Sequence, residues 1–314
     1  MKKITVVVLF GGRSTEYEVS LQSACSVIEN LDSEKYNVIQ LGITRQGQWL
    51  KYSGDTSHIK NDTWHEHHSC VPAIISPDCS TPGVLVMGGS EIQTIPIDVV
   101  FPILHGKNGE DGTIQGLLEL TGIPCVGCGT LSSAICMDKD VAHRLVNLAG
   151  IKTPESIVLH YSTSDDELIE LIAHLKYQLF VKPVNAGSSF GITKVSNQTG
   201  LKEAISIAFE HDRKVIIEEG IDGFEVGCAV LGNKTLTIGK VDEIELSDGF
   251  FDYTEKYSLK TSKIHMPARI DEDTANRIKQ TAALIYRTLG CEGYARVDMF
   301  LTPQNEIVFN EVNT

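Results

Sequence analysis

The end of the chain carries acidic and amide side chains at a spacing that could bind a cation. Two apolar runs, 297–301 and 307–313, predict strands joined by a turn. In a hairpin around a four-residue loop, Asp298 would lie opposite Glu311, and Asn313 would share their face because side chains alternate with period two. Carboxylates about 5 Å apart repel each other unless a cation screens them. Carboxylate and amide oxygens are ligands of Mg²⁺, so the spacing predicts a magnesium site, with an exposed acidic hairpin end as the alternative.

A second set of residues could hold phosphate groups. The segment 182–191 follows a predicted strand, begins with Lys182 and is rich in glycine and serine. Small residues let backbone N–H groups approach phosphate oxygens closely. Lys139 opens a predicted helix, and Lys256 lies in an aromatic and charged segment that suits a closing loop. Lysines, loop and carboxylate hairpin together suit a nucleoside triphosphate with magnesium, whereas a structural Gly-Ser turn and a solvated charged turn are the alternatives.

Two segments near the start of the chain are also candidates for ligand binding. Glu16 falls in the first turn of a predicted helix, where a carboxylate suits the helix dipole and is often only a cap. His105 stands among glycines directly after a predicted strand, which is where open α/β sheets bind ligands. A surface-loop histidine is the alternative there. The loop 11–14 is not a GxGxxG motif, so a nicotinamide cofactor is not indicated.

Composition excludes several classes of partner. The 314 residues carry a net charge of −14, which disfavours nucleic acid and anionic membrane surfaces. No run approaches the roughly 20 apolar residues of a membrane span. The apolar start ends at Gly11-Gly12 without a cleavage site, so it predicts a buried strand and a cytoplasmic protein. Eight scattered cysteines, including the pair Cys125 and Cys128, favour buried thiols over a metal or redox site.

The hydrophobic pattern predicts three lobes of α/β and α+β class. In the first, continuous Val/Ile runs alternate with helices, which is typical of strands covered on both faces in a parallel sheet. The polar stretch 53–69 predicts a loop. Later segments alternate between strand and helix, and the last lobe combines an antiparallel sheet with one long helix. The predicted lobes are 1–126, 127–218 and 219–314. The predicted strands of the first lobe are 4–10, 37–44 and 98–101, and the main predicted helices are 15–31, 113–120, 138–148 and 272–289.

Taken together, these segments resemble the D-alanine–D-alanine ligase family of ATP-grasp enzymes across essentially the whole chain. The matching pieces are residues 11–16 with Val19-Ser20, His105-Gly106, residues 109–112, Met137-Asp138-Lys139, residues 182–191, Glu218, Glu225, residues 253–257, Arg296-Val297-Asp298 and residues 310–314. The resemblance implies a three-lobed ATP-grasp ligase with an N-terminal parallel α/β lobe. It also implies a homodimer formed through that lobe.

The resemblance assigns a nucleotide site to the second and third lobes. Two Mg²⁺ ions, or Mn²⁺ in their place, would be held by Asp298, Glu311 and Asn313, and would clamp the transferring phosphoryl group. Glu218 and Glu225 would lie near adenine and ribose. The full set of implied ATP contacts is Lys139, Lys182, Ser188, Ser189, Glu218, Glu225, Phe250 and Lys256.

The resemblance also implies the reaction. The ammonium of a first D-alanine would pair with Glu16 in a pocket that includes His105, and its carboxylate would attack the γ-phosphate. A second amine would then attack the acyl phosphate, with Arg296 stabilising the tetrahedral oxyanion. A hydrogen-bond network of Glu16, Ser188 and Tyr257 would hold the closing loop shut.

The second substrate is open between two amino acids. The resemblance implies an amine rather than the hydroxy acid D-lactate, because relatives that make D-alanyl-D-lactate lack the Glu-Lys-Tyr that is present here at 255–257. Phe251, where many D-alanine enzymes carry Tyr, and the acceptor Asp242 could favour D-serine over D-alanine. The closing segment, together with the whole chain, resembles the VanG-type D-alanine–D-serine ligases of vancomycin resistance. The alternatives are a housekeeping D-alanine–D-alanine ligase, a different ATP-grasp carboxylate–amine ligase and a non-catalytic ATP-binding regulatory protein. The family's motif continues past Thr314 into a proline-glycine loop and a final helix, which would help to bind the second substrate.

Overall fold

The computed structural model describes residues 2–187, 190–246 and 262–314. Across these ranges the chain forms two compact units, Met1–Ala134 and Ile135–Thr314. The first unit contains one sheet and the second contains two, which confirms the mixed α/β and α+β class. The lobe boundaries expected after residues 126 and 218 stay a prediction. Among the described helices, none combines the length and the apolar character needed to cross a membrane.

The first unit is built on a mixed sheet. Its strands are β1 (Ile4–Gly11), β2 (Tyr36–Ile43), β3 (Trp49–Tyr52), β4 (Val71–Ile75), β5 (Val84–Val86), β6 (Gln93–Ile95) and β7 (Val99–Leu104). Its helices are α1 (Tyr17–Asn30), α2 (Thr56–Lys60) and α3 (Thr113–Thr121), and α4 (Thr130–Met137) runs across the boundary between the units. The strand order is β6-β5-β4-β3-β2-β1-β7.

The parallel pairing predicted for the first lobe is confirmed for three strands only. Strand β1 pairs in parallel with β2 and with β7, and these are the three strands that the sequence predicted. From β2 to β6 every pairing is antiparallel. The reason is a short connection: the chain turns straight back after β2 through Gly47, whose φ is +90°. A parallel neighbour would need a crossover of a dozen or more residues.

Strand β1 supplies apolar side chains to both faces of the sheet. Val7 and Leu9 pack into one core with β2 and α3 residues, whereas Val8 and Phe10 pack into the other with α1 residues. Because strand side chains alternate, a strand covered on both faces must be apolar throughout. The unbroken apolar run of residues 6–10 is therefore explained by the fold.

The loop predicted for residues 53–69 is wrong. The segment contains α2 and a 3₁₀ turn at Trp64–Glu66, and both Ile59 and Trp64 are fully buried. The Trp64 indole N–H donates to the Tyr17 hydroxyl oxygen at 3.1 Å. This polar stretch contains few apolar residues, so it has no hydrophobic periodicity from which the helix could be predicted. The helix is stabilised instead by contacts with residues that are distant in the sequence.

The second unit contains two antiparallel sheets. Its strands are β8 (Ser156–His160), β9 (Leu179–Pro183), β10 (Thr193–Val195), β11 (Lys214–Glu219), β12 (Phe224–Leu231), β13 (Thr237–Leu246), β14 (Ser262–His265), β15 (Tyr294–Leu301) and β16 (Ile307–Asn313). Its helices are α5 (Lys139–Leu148), α6 (Asp165–Ile172), α7 (Leu201–His211) and α8 (Glu272–Thr288), with a 3₁₀ turn at Gln198–Gly200. One sheet has the order β10-β9-β11-β8 and the other β14-β13-β12-β15-β16, and α8 packs on the second sheet. The antiparallel sheet with a long helix, predicted for the last lobe, is confirmed.

Replacing Trp64 by alanine should destabilise the first unit, because the buried indole fills the space beside Phe10 and Gly42. We expect a loss of about 3–5 kcal/mol in the free energy of unfolding. Urea denaturation followed by circular dichroism measures it. Glu66→Ala, at an exposed side chain in the same turn, is the matched control and should change stability by less than about 0.5 kcal/mol. Equal stability of the two variants would contradict the burial of this segment.

Candidate active site

The five-stranded sheet carries a row of acidic residues across four strands. Asp242 on β13 pairs with Gly227 on β12, Gly227 pairs with Asp298 on β15, and Asp298 pairs with Glu311 on β16. Residues directly opposite each other in a sheet share a face, so the three carboxylates project to the same side. A Cβ at Gly227 would overlap the Asp242 carboxylate, so the glycine gives that side chain its room.

The predicted pairing of Asp298 with Glu311 is confirmed, but its cause differs from the expected four-residue loop. Leu301 pairs with Ile307, so five residues form the turn, and a bulge then shifts the register between Asp298 and Met299. Asn310 is the extra residue in β16. Without this bulge Asp298 would face Asn310, because the two strands would stay in the register set by the turn. Bulges commonly redirect side chains next to functional sites.

Asp298 is almost fully buried and is held by two neighbours. The Arg296 guanidinium donates from Nε to Oδ1 at 2.8 Å and from Nη2 to Oδ2 at 2.7 Å. Asn313 Nδ2 donates to the same Oδ2 at 2.8 Å. The charge of Asp298 raises the pKa of Arg296, which therefore stays cationic. The structure thus brings together Arg296 and the three residues predicted to bind metal: Asp298, Glu311 and Asn313.

Lys139 connects the start of α5 to the predicted phosphate loop. Its Nζ donates to the Ala186 carbonyl at 2.8 Å and lies 3.4 Å from Glu311 Oε2. Asp138 caps the helix by accepting from the Val141 N–H at 2.9 Å, which fixes where the Lys139 side chain begins. The Lys139 ammonium group therefore lies between the loop and the carboxylate hairpin.

Lys182 and Glu218 form a buried ion pair. Lys182 Nζ lies 2.5 Å from Glu218 Oε2, and His143 Nδ1 lies 3.7 Å from Oε1. Burial raises the pKa of the Glu218 carboxyl, but the charges of Lys182 and His143 outweigh that effect and hold the pKa below its usual range. The carboxylate is therefore ionised at neutral pH.

Lys139, Lys182, Glu218 and Glu311 line a cavity of about 450 Å³ in the second unit. Its volume lies within the range of small-molecule sites. Its charged and polar lining also includes Glu219, Glu225, Glu243, Glu245, Arg269 and Asn310, and its apolar lining includes Phe180, Ile192, Ile221, Phe224, Ile244 and Phe300. Apolar side chains together with lysines suit a planar base that carries phosphates.

Asp242 has an unusual environment for an acidic residue. Burial, and then the charge of Asp298, raise the pKa of Asp242, whereas Arg296 and the Gly227 N–H oppose the shift. Asp242 therefore places a carboxyl group that can form hydrogen bonds next to the Arg296–Asp298 pair. Such a group can recognise a hydroxyl on a small substrate.

In the first unit, the structure brings Glu16 and the His105-Gly106 turn together. Ser14 Oγ accepts from the Glu16 N–H at 2.9 Å and donates to the His105 carbonyl at 2.7 Å. A Cβ at Gly106 would overlap the Glu16 carboxylate, and Gly106 has a φ of +67°, so glycine is needed on both counts. His105 Nε2 lies 3.2 Å from Ser23 Oγ.

Several predicted site residues lie outside the described residues: Ser188, Ser189, Phe250, Phe251, Lys256 and Tyr257. The hydrogen-bond network that links Glu16 to two of them stays a prediction. Sequence reasoning missed His143, Gly227 and the Glu243–Arg269 pair, in which Arg269 Nε lies 3.1 Å from Glu243 Oε1. The spacing of His143 four residues after Lys139 was a usable signal, because such residues share a helix face.

Known proteins resemble the whole chain. The family models for the D-ala D-ala ligase N-terminus and C-terminus match residues 5–128 and 145–314. The D-alanine–D-alanine ligase of Caldicellulosiruptor bescii is 45% identical over 319 residues, covering 100% of this chain and 87% of the relative. The vancomycin C-type resistance protein VanC1 of Enterococcus gallinarum is 45% identical over 315 residues, covering 100% and 89%.

Solved structures agree with this grouping. The crystal structure of VanG D-Ala:D-Ser ligase from Enterococcus faecalis matches with a TM-score of 0.92 and 57% identity, covering 100% of this chain and 90% of that one. The D-alanine–D-alanine ligase from Coxiella burnetii matches with a TM-score of 0.86 and 31% identity, covering 100% and 85%. These likenesses confirm the ATP-grasp ligase fold, and the chain belongs to the D-alanine–D-alanine ligase family.

Proposed function

We propose that this protein joins D-alanine to D-serine, with ATP converted to ADP, through a D-alanyl phosphate intermediate. The single observation that carries the choice of D-serine is the carboxyl group of Asp242, held across Gly227 beside the Arg296–Asp298 pair. The VanG relative, 57% identical, is a D-Ala:D-Ser ligase, which supports the same choice. The housekeeping reaction, with D-alanine as second substrate, is the other candidate, because a relative at 45% identity is a D-alanine–D-alanine ligase.

The nucleotide would bind in the cavity of the second unit. Lys139 and Lys182 would contact its phosphates, and Glu218 and Glu225 would lie near adenine and ribose. Apolar side chains such as Phe300 would pack against the base. In an acidic protein with a net charge of −14, these placed cations supply the attraction that the overall charge does not. Ser188, Ser189, Phe250 and Lys256 would complete the site.

The residues at the hairpin fit magnesium. Asp298 and Glu311 supply carboxylate oxygens and Asn313 an amide oxygen, which is the ligand chemistry of a hard cation. Arg296 and Asn313 already donate hydrogen bonds to the two Asp298 oxygens, so magnesium would take the lone pairs that remain on them. When bound, the metal would screen the repulsion between the negative γ-phosphate and the negative carboxylate that attacks it.

The chain's own residues would then perform two steps. Glu16 would pair with the ammonium group of the first D-alanine, with His105 nearby. A carboxylate oxygen of that D-alanine would then bond to the γ-phosphorus as ADP leaves. In the second step the amine of D-serine bonds to the acyl carbon, phosphate leaves with the C–O electron pair and the amine loses a proton. The Arg296 guanidinium would stabilise the oxyanion that exists after the amine has attacked and before phosphate leaves. Ser188 and Tyr257 would help to close the site.

The choice of D-serine depends on one hydroxyl group. Asp242 would accept a hydrogen bond from it, and Phe251 would shape the adjoining wall. A site built to bind a hydroxyl is left with an unpaired polar group when D-alanine takes its place, so discrimination follows. The product would enter peptidoglycan precursors, and we propose that the enzyme acts in the cytoplasm as a homodimer.

The function is tested by measuring ADP release by the enzyme with D-alanine as first substrate. The second substrate is D-serine, further D-alanine or D-lactate. We expect D-serine to give a kcat/KM at least about tenfold above D-alanine as second substrate, since one hydrogen bond to a charged group is worth 1.5–3 kcal/mol. D-lactate should give only the background of D-alanine alone. A preference for D-alanine would support the housekeeping reaction instead.

Replacing Asp298 by asparagine, or Glu311 by glutamine, should lower kcat at least about a hundredfold, because the charge stabilisation that a metal supplies is worth several kcal/mol. Circular dichroism and thermal melts check that each variant is folded. Glu306→Gln, at an exposed side chain in the turn of the same hairpin, is the control and should keep normal turnover. Near-normal activity of either site variant would refute the metal assignment.

Replacing Asp242 by alanine should lower the ratio of kcat/KM for D-serine to that for D-alanine by about ten- to a hundredfold. Asp242→Asn keeps an acceptor oxygen and should lose less. Asp273→Ala, at an exposed position of α8, is the matched control. An unchanged ratio in Asp242→Ala would remove this residue from the explanation of specificity.

A further inference from the structure

His143 contacts Glu218, which lines the cavity of the proposed nucleotide site, and has no role in the reaction described above. It is on α5, is 4% exposed, and packs its ring edge-on against Phe309 at a centroid distance of 5.4 Å. Its Nε2 lies 2.9 Å from the Asn310 carbonyl oxygen. A carbonyl oxygen only accepts hydrogen bonds, so Nε2 must carry a proton.

The other ring nitrogen faces a carboxylate. Nδ1 lies 3.7 Å from Glu218 Oε1, and neither of these buried atoms has a hydrogen-bond partner within the described ranges. With Nε2 protonated, a neutral ring would direct a lone pair toward the negative oxygen. A second proton on Nδ1 would replace that repulsion by an ion pair. Leaving two buried polar atoms unpaired costs about 1–3 kcal/mol each, so the doubly protonated form suits this arrangement.

Two ion pairs lie next to His143. Lys182 pairs with Glu218 from β11, and Lys139 pairs with Glu311 from β16. Within each pair the two charges offset one another, so a proton on His143 would add one positive charge beside Glu218. A polyphosphate close to Lys139 and Lys182 would gain from that charge, because electrostatic interactions are strong where water is excluded.

We propose that His143 is a cationic positioning residue of the nucleotide site. It holds the Glu218 carboxylate from the side opposite Lys182, and its proton strengthens binding of a nucleoside polyphosphate. The inference rests on the proposed nucleotide site in the second unit and adds to it a residue that does not touch the phosphates. Because a lower pH favours the doubly protonated ring, nucleotide affinity should rise as the pH falls.

The test compares MgADP affinity of wild type and variants by calorimetry from pH 6 to pH 8.5. The terminal phosphate of the ligand also titrates near pH 6 or above, so each variant is compared with wild type at the same pH. His143→Phe keeps a ring beside Phe309 and removes both nitrogens, whereas His143→Gln keeps a donor for the Asn310 carbonyl. Both variants should bind MgADP about tenfold more weakly than wild type at pH 6, which is a coupling free energy of ordinary size. At pH 8.5 their affinities should lie within about twofold of the wild-type affinity.

Two further variants separate charge from packing. His143→Lys carries a permanent charge and should remove the pH-dependent part of the difference while keeping tight binding at pH 8.5. His160→Gln, at an exposed histidine on β8 of the same unit, should follow the wild-type profile. Nitrogen-15 NMR should show both His143 nitrogens protonated at pH 6, and Glu218→Gln should shift that protonation to lower pH.

A ratio between His143→Phe or His143→Gln and wild type that is the same at every pH would overturn the proposal. So would an unprotonated Nδ1 at pH 6. If His143→Phe does not fold, His143→Gln and the NMR signals decide between the two outcomes. Failure of wild type to bind MgADP at any pH would instead refute the proposed nucleotide site, so the two failures can be told apart.

Discussion

Negative charge that is removed from water must be matched by positive charge, and the second unit depends on that pairing. Asp298 and Glu218 are each 2% exposed, and each has a cation at hydrogen-bond distance. Removing one partner of such a pair strands a buried charge and is strongly destabilising. The cations that stabilise the folded protein, Arg296 and Lys182, are therefore the same groups that a bound polyphosphate or oxyanion would meet.

Two glycines are as important to the arrangement of the site as the charged side chains. A Cβ on Gly227 or on Gly106 would overlap a carboxylate, that of Asp242 in the first case and of Glu16 in the second. Each glycine lets an acidic group lie against backbone where any other residue would displace it. In both units a carboxylate that we propose contacts substrate is thus positioned by a residue that has no functional group of its own.

Much of the fold could be predicted from the pattern of the sequence. Residues 6–10 of the first strand are apolar throughout because both faces of the strand are covered there, and helix α5 begins where Asp138 can cap it. The position of Lys139 at a helix start and the hairpin that carries Asp298 could be predicted because helix caps and strand alternation follow from residue type and spacing, whereas their roles stay a prediction. Residues 53–69 could not be predicted, since the burial of Trp64 depends on contacts with Tyr17 and Phe10, far away in the chain.

The sequence by itself determined which chemical groups are present and which of them are near neighbours along a strand or a helix. It put Asp298 and Arg296 two residues apart on one face, and it put Lys139 at a helix start. Only the tertiary structure decided that Asn310 is the bulged residue that sets Asp298 opposite Glu311, and that His143 meets Glu218 from another element. The physical reason is that register and long-range pairing depend on the energies of many packed contacts together, whereas local periodicity depends on backbone geometry alone.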